Sequence, residues 1–166
     1  MNEQIKAEEF AEYLSDDELS KLAPLLDRLS LLEDQKTNQD NYLKFVKKIW
    51  PSFIEGKHHK IYADKLQQVA DGKIKRLIVN MPPRHTKSEF ASYLFPAWLM
   101  GRRPDLKIIQ ATHTAELAVG FGRKVKNLID SDDFRDIFPE IKLATDAKAS
   151  GRWSTNGGGE YYAVGV

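Results

Sequence analysis

The chain has 166 residues, 42% of them apolar and 30% charged, a composition that suits one globular α/β domain with a single core of ordinary size. It contains no cysteine, which excludes a disulfide framework and a thiolate zinc site and fits a reducing compartment; no run approaches 18 apolar residues, and the polar opening Met1-Asn2-Glu3-Gln4 lacks a signal core, so neither a membrane span nor secretion is expected. The net charge of +1 conceals an asymmetry, since residues 1–40 hold 4 Lys and Arg against 11 Asp and Glu while the remainder holds 21 against 13: a mildly basic body compatible with nucleotide or DNA, which solvated surface charge explains equally well.

Residues 1–40 read as an acidic helical segment. Ile5, Phe10, Tyr13 and Leu14 share a rough helical period, Ser15-Asp16-Asp17-Glu18 is a capping box, and Leu22, Leu25, Leu26, Leu29 and Leu32 continue an apolar stripe, with Pro24 as either a first helical residue or a break. Such a stripe needs a partner. Core packing against the main domain is the expectation and an exposed dimerising helix the alternative. Residues 35–40 form a polar linker, which sets the domain boundary at 40/41.

Residues 42–49 are again helical and stop at Trp50-Pro51, and a further helix is predicted from Lys57 to Val69, ending at Asp71-Gly72. His58 and His59 stand at its start. Adjacent helical residues point about 100° apart, and no carboxylate lies at a ligand spacing, so they make a poor metal pair and read as surface residues.

Next comes an apolar run, Leu77-Ile78-Val79, then Asn80-Met81-Pro82-Pro83-Arg84-His85-Thr86, then Lys87-Ser88 opening a helix. Strand, tight loop and Lys-Ser pair are the layout of a phosphate-binding P-loop. Backbone N–H groups of such a loop point at phosphates, a lysine reaches the β/γ oxygens and a hydroxyl holds Mg²⁺, the tasks predicted for Lys87 and Ser88. Against G-x-x-x-x-G-K-[ST], Met81 and Thr86 replace the two glycines. Thr86 can still complete the loop if its dihedrals stay helical or extended, and that unstrained geometry is the expectation. Arg84 can bridge phosphate oxygens as an arginine finger would, and His85 is a loop residue facing solvent or ligand. The plainer alternative is an ordinary α/β crossover whose Lys and Ser are a solvated helix start.

The helix after Ser88 meets Pro96, expected to kink it, and Leu106 to Ala111 form the next strand, completing a βαβ unit with a parallel sheet. Thr112-His113-Thr114 caps a helix whose apolar face comprises Leu117, Phe121, Val125, Leu128 and Ile129. Asp132-Asp133-Phe134-Arg135-Asp136-Ile137 is a short helical piece whose acids cap it. Two strands flanking Asn156-Gly157-Gly158-Gly159 read as a β-hairpin.

Residues 80–89, Phe95-Pro96-Ala97-Trp98, Ala115-Glu116-Leu117-Ala118 with Phe121-Gly122-Arg123-Lys124-Val125, and Gly158-Gly159-Glu160-Tyr161 with Ala163-Val164-Gly165-Val166 together resemble the large terminase subunit of tailed bacteriophages, over roughly residues 45–166. That family is the ATP-driven motor that threads viral DNA into a capsid and cuts it with a nuclease domain. The resemblance implies an ASCE-type P-loop NTPase fold, α/β with a helical N-terminal lead-in. It implies ATP and Mg²⁺ as cofactors, with Met81, Pro82, Pro83, Arg84, His85, Thr86, Lys87 and Ser88 at the nucleotide, Ser88 on the metal, Lys87 and Arg84 catalytic, and His59 or Tyr62 against the adenine base. It further implies double-stranded DNA, the portal protein and the small terminase subunit as partners, a homo-oligomeric ring on the procapsid, and a place in the host cytoplasm away from membranes. The family commonly has glycine at the Thr86 position and places its loop arginine four residues before the lysine rather than three, as Arg84 is here.

ASCE enzymes also need a strand ending in two acids, one for the Mg²⁺ shell and one to orient water. No four-residue apolar run followed by Asp-Asp or Asp-Glu occurs after Lys87, so the chain reads as the first part of the motor ATPase, its sheet short of strands and its apolar surface partly uncovered, and on its own inactive unless Asp130 or Asp146 serves. The alternatives are a nucleotide-binding or assembly module without hydrolysis, and another P-loop enzyme such as a small-molecule kinase.

Overall fold

The computed structural model describes residues 15–145 and 149–166. Ile5, Phe10, Tyr13, Leu14 and Asp146 lie outside them. The chain divides into two compact units, Met1–Asp34 and Gln35–Val166, so the division falls inside the first helix rather than at 40/41.

Helix α1 (Asp16–Asp40) opens with the predicted capping box: the Glu18 carboxylate accepts from the Ser15 N–H at 3.0 Å and the Ser15 hydroxyl accepts from the Glu18 N–H at 3.4 Å. The Ser15 hydroxyl, which donates to the Glu18 carboxylate at 2.7 Å, and after it the Ser15 N–H hold the Glu18 carboxyl below its ordinary value. The helix passes through Pro24 without a break, correcting both readings of that residue; the missing N–H removes one intrahelical bond on an exposed turn. In the first unit Leu25 and Leu26 are 62% and 61% exposed, Leu29 and Leu32 are exposed as well, and Leu22 is half-buried.

The polar stretch 35–40 is likewise not a linker but the last turns of α1. Non-local contacts decide it. The Gln35 and Gln39 amides donate to the carbonyls of Asp136 and Ile137 at 2.7 and 2.6 Å, and the Asn38 carbonyl accepts from the Trp98 indole at 3.1 Å.

The second unit continues with α2 (Tyr42–Ile49), capped by the Asn41 side chain on the Lys44 N–H, and α3 (Lys57–Ala70), which ends as predicted at Asp71 and Gly72. Gly72 has φ 74°, the left-handed residue that closes a helix C-terminus, its N–H donating to the Val69 carbonyl. After the loop, Glu89–Leu94 is a π-helical turn leading into α4 (Phe95–Arg102). The Phe95 N–H reaches the Phe90 carbonyl five residues back, so the expected Pro96 kink takes the form of a widened turn ahead of the proline. The remaining elements are β1 (Lys107–Thr112), α5 (Ala115–Ile129), α6 (Asp132–Ile137), β2 (Arg152–Ser154) and β3 (Glu160–Gly165).

The unit is mixed α/β with one three-stranded sheet ordered β1-β3-β2. β1 runs parallel to β3, Lys107 opposite Glu160, and β2 runs antiparallel to β3, Trp153 opposite Tyr161, forming the predicted hairpin around residues 156–159. The parallel crossover is therefore β1–α5–β3. No strand forms at Leu77, Ile78 and Val79, which corrects the predicted βαβ unit: among the described residues their backbone has no ladder partner, although Leu77, Val79 and Met81 still lie against the core. Ile78 and Ile109 stand 88% and 73% exposed.

The Thr114 side chain caps α5 on the Leu117 N–H, as predicted, but its buried face is Ala118, Gly122, Val125, Leu128 and Ile129, with Leu117 exposed and Phe121 only half-buried. Close approach to the sheet explains the shift. A Cβ at Gly122 would stand 2.5 Å from the Ser150 carbonyl oxygen and 3.1 Å from the Tyr161 ring, so the small residue sets which face docks.

The aromatic core centres on Tyr42, whose ring meets Phe90, Phe95 and Trp98 at 5.9, 5.3 and 5.1 Å and whose hydroxyl donates to the Phe90 carbonyl at 2.7 Å. Each such ring pair contributes about 0.5–1.5 kcal/mol beyond area burial. The core thus fixes the π-helical turn that follows the loop.

Candidate functional site

Residues 81–88 curl into the start of the helical run that α4 ends. Chain direction reverses through two left-handed residues, Arg84 at φ 64° and Thr86 at φ 60°, separated by His85 and followed by right-handed helix from Lys87. Alternating hand turns successive N–H groups toward one point, the arrangement that makes an anion-binding nest. Thr86 therefore departs from the expected helical or extended dihedral. A β-branched residue in this region is strained by about 1–2 kcal/mol, and its side chain supplies the compensation: Thr86 Oγ1 lies 2.8 Å from His59 Nε2 and donates to the His85 carbonyl at 2.7 Å. Two hydrogen bonds of about 0.5–1.5 kcal/mol each are of the size required. The Thr86 carbonyl in turn accepts from the Phe90 N–H at 2.9 Å, so the left-handed residue also begins the helix.

His59 and Tyr62 lie beneath the loop. They occupy the buried face of α3, 6% and 4% exposed, where His59 packs edge-on against Phe53 at 4.8 Å and parallel to Phe90 at 5.4 Å, and Tyr62 stacks on Phe90 at 5.7 Å. Neither ring offers a free face to a base, which corrects the adenine contact implied for them. The Tyr62 hydroxyl donates to the Lys87 carbonyl at 3.2 Å, and burial pushes its pKa up to about 12. His58, by contrast, is exposed, as predicted for a helix-start surface residue.

Above the loop a cavity of about 510 Å³ is lined by residues 81–84 and 86–89, within the usual size of a small-molecule site. Seven of the eight loop residues predicted to meet nucleotide border it, while His59 and Tyr62 do not; His85 turns its ring back, Nδ1 2.9 Å from the Pro83 carbonyl. Among the described residues the Lys87 ammonium and Arg84 guanidinium have no carboxylate partner, and the Ser88 hydroxyl makes no hydrogen bond. Glu89, the one acid bordering the cavity among those residues, is held by Lys124 at 3.1 Å. A loop of alternating hand with two cations that have no carboxylate partner among the described residues suits a polyanion.

The Thr86–His59 bond is the contact at the loop that sequence patterning did not reveal. A histidine three residues after Gly56, where a capping box would carry Glu or Gln, was the available signal. Comparisons of the chain with family models, with curated proteins and with solved structures found no match.

Proposed function

We propose that residues 81–88 bind the phosphates of Mg-ATP on a P-loop NTPase fold, and that the chain is the ATP-binding part of a viral DNA-packaging motor of the large terminase kind. The observation that carries the reading is the alternation of hand from Arg84 to Lys87 around a cavity whose two cations lack acidic partners among the described residues. The resemblance of the separated sequence motifs supports the motor assignment, and with it double-stranded DNA, portal and small-subunit partners, a ring on the procapsid and a cytoplasmic setting.

In this reading the loop amides and Lys87 neutralise β/γ oxygens, Arg84 reaches the γ-phosphate and the Ser88 hydroxyl holds Mg²⁺, which supplies charge neutralisation along the in-line path of water attack. A second reading, nucleotide binding without hydrolysis, is favoured by one observation: among the described residues the one acid bordering the cavity, Glu89, is paired with Lys124 at 3.1 Å. Steady phosphate release separates the two readings.

Calorimetric titration tests the shared core of both. Mg-ATP is expected to bind, inorganic pyrophosphate to compete with it, and AMP to bind at least about tenfold more weakly, because charge-assisted contacts to the β/γ oxygens carry the affinity. Equal binding of AMP, or none of any nucleotide, would contradict the assignment.

A further inference from the structure

We infer that His59 is a positioning residue for the phosphate-binding loop, holding Thr86 in its left-handed conformation, and that it does so only as the neutral imidazole. The inference rests on reading residues 81–88 as a phosphate loop and concerns what keeps that loop in shape.

Hydrogen-bond direction fixes the tautomer. The Gly56 N–H donates to His59 Nδ1 at 2.9 Å, so that nitrogen carries a lone pair and the ring proton sits on Nε2. Nε2–H then donates to Thr86 Oγ1 at 2.8 Å, and the threonine passes its own hydrogen to the His85 carbonyl at 2.7 Å. The chain of bonds runs one way, from the N-terminus of α3 into the loop. A second ring proton, on Nδ1, would face the Gly56 N–H and break the first link.

The surroundings favour the neutral ring. Burial between Phe53 and Phe90, then the charges of His58, whose ring lies 3.8 Å away, and His85 hold His59 below its ordinary value, while Glu55 opposes them. Glu55 is itself shared by Lys47 at 2.6 Å and Lys60 at 2.9 Å, which blunts its pull. The folded value lies below the unfolded value of about 6.5, so the contribution is complete above that pH and is lost as pH falls through the folded value. His59 does not border the cavity, and its influence on ligand runs through Thr86.

The test measures Mg-ATP affinity between pH 5.5 and 8 for the wild type, His59→Ala, His59→Gln, Thr86→Val and the double variant His59→Ala/Thr86→Gly, with circular dichroism to confirm folding. His59→Ala and Thr86→Val, which break the same bond from opposite ends, are each expected to weaken binding about tenfold at pH 7.5. His59→Gln keeps an N–H donor that does not titrate; it should bind within about threefold of wild type and lose the excess decline below pH 6.5, phosphate protonation being common to every variant. Glycine adopts positive φ without an anchor, so Thr86→Gly should restore most of the affinity lost in His59→Ala. A folded His59→Ala or Thr86→Val that binds like wild type, a double variant as weak as His59→Ala, or a glutamine variant with the wild-type pH profile would overturn the inference. Failure of the wild type itself to bind Mg-ATP would instead overturn the phosphate-loop reading on which it rests.

Discussion

Lys87→Ala is expected to weaken Mg-ATP binding at least about tenfold while leaving the fold intact. A charge-assisted contact to phosphate contributes about 1.5–3 kcal/mol, and the Lys87 ammonium has no carboxylate partner among the described residues, so its charge is free for a ligand. The residue is exposed, and the hydrogen bond it accepts from Tyr62 is made by its backbone carbonyl, which alanine retains. Loss of affinity should therefore occur without loss of stability. Titration calorimetry showing equal affinity in the two forms would remove the phosphate-binding role of the loop.

Trp98→Ala should produce the largest stability change, about 3–5 kcal/mol, as expected for truncating a fully buried tryptophan. The Trp98 side chain is 0% exposed, meets Tyr42 at 5.1 Å and Phe95 at 6.1 Å, lies under the Arg102 guanidinium at 4.7 Å, and donates to the Asn38 carbonyl at 3.1 Å. Truncation leaves a cavity in the aromatic core and removes the tie between α4 and the end of α1. Since domains of this size are stable by about 5–15 kcal/mol, the variant should unfold at markedly lower denaturant. A loss under about 1 kcal/mol in urea titration would contradict this account of the core.

Local signals were legible in the sequence wherever a few neighbouring residues decide the structure. The Ser15–Glu18 capping box, the Thr114 cap, the end of α3 at Gly72 and the hairpin around residues 156–159 each depend on contacts within a few positions. Non-local contacts explain the rest. Residues 35–40 look like a linker until Asp136, Ile137 and Trp98 provide partners for their polar groups. Leu77, Ile78 and Val79 have strand composition, but a strand also requires a ladder neighbour, and none is present among the described residues. On α5 the apolar period alone could not anticipate that Gly122 would bring the helix close enough to the sheet to turn Leu117 outward.

The site divides along the same line. Residue type and order single out Lys87, Ser88 and Arg84, and the structure places all three at one cavity. The conformation of Thr86 was not legible, since threonine disfavours positive φ and one of the two hydrogen bonds that compensate for it comes from a histidine 27 positions away. For the same reason His59 and Tyr62 changed role, from base contacts to supports beneath the loop.

The central claim, that the backbone of residues 84–88 cradles phosphates, is tested most directly by amide chemical shifts in the intact chain during titration with Mg-ATP and, separately, with inorganic pyrophosphate. Both ligands are expected to move the amides of Arg84, His85, Thr86, Lys87 and Ser88 most, and in the same direction. Shifts concentrated elsewhere, such as at a separate cavity bordered by Lys36, Arg102 and Glu140, or an unmoved loop in the presence of bound nucleotide, would contradict it.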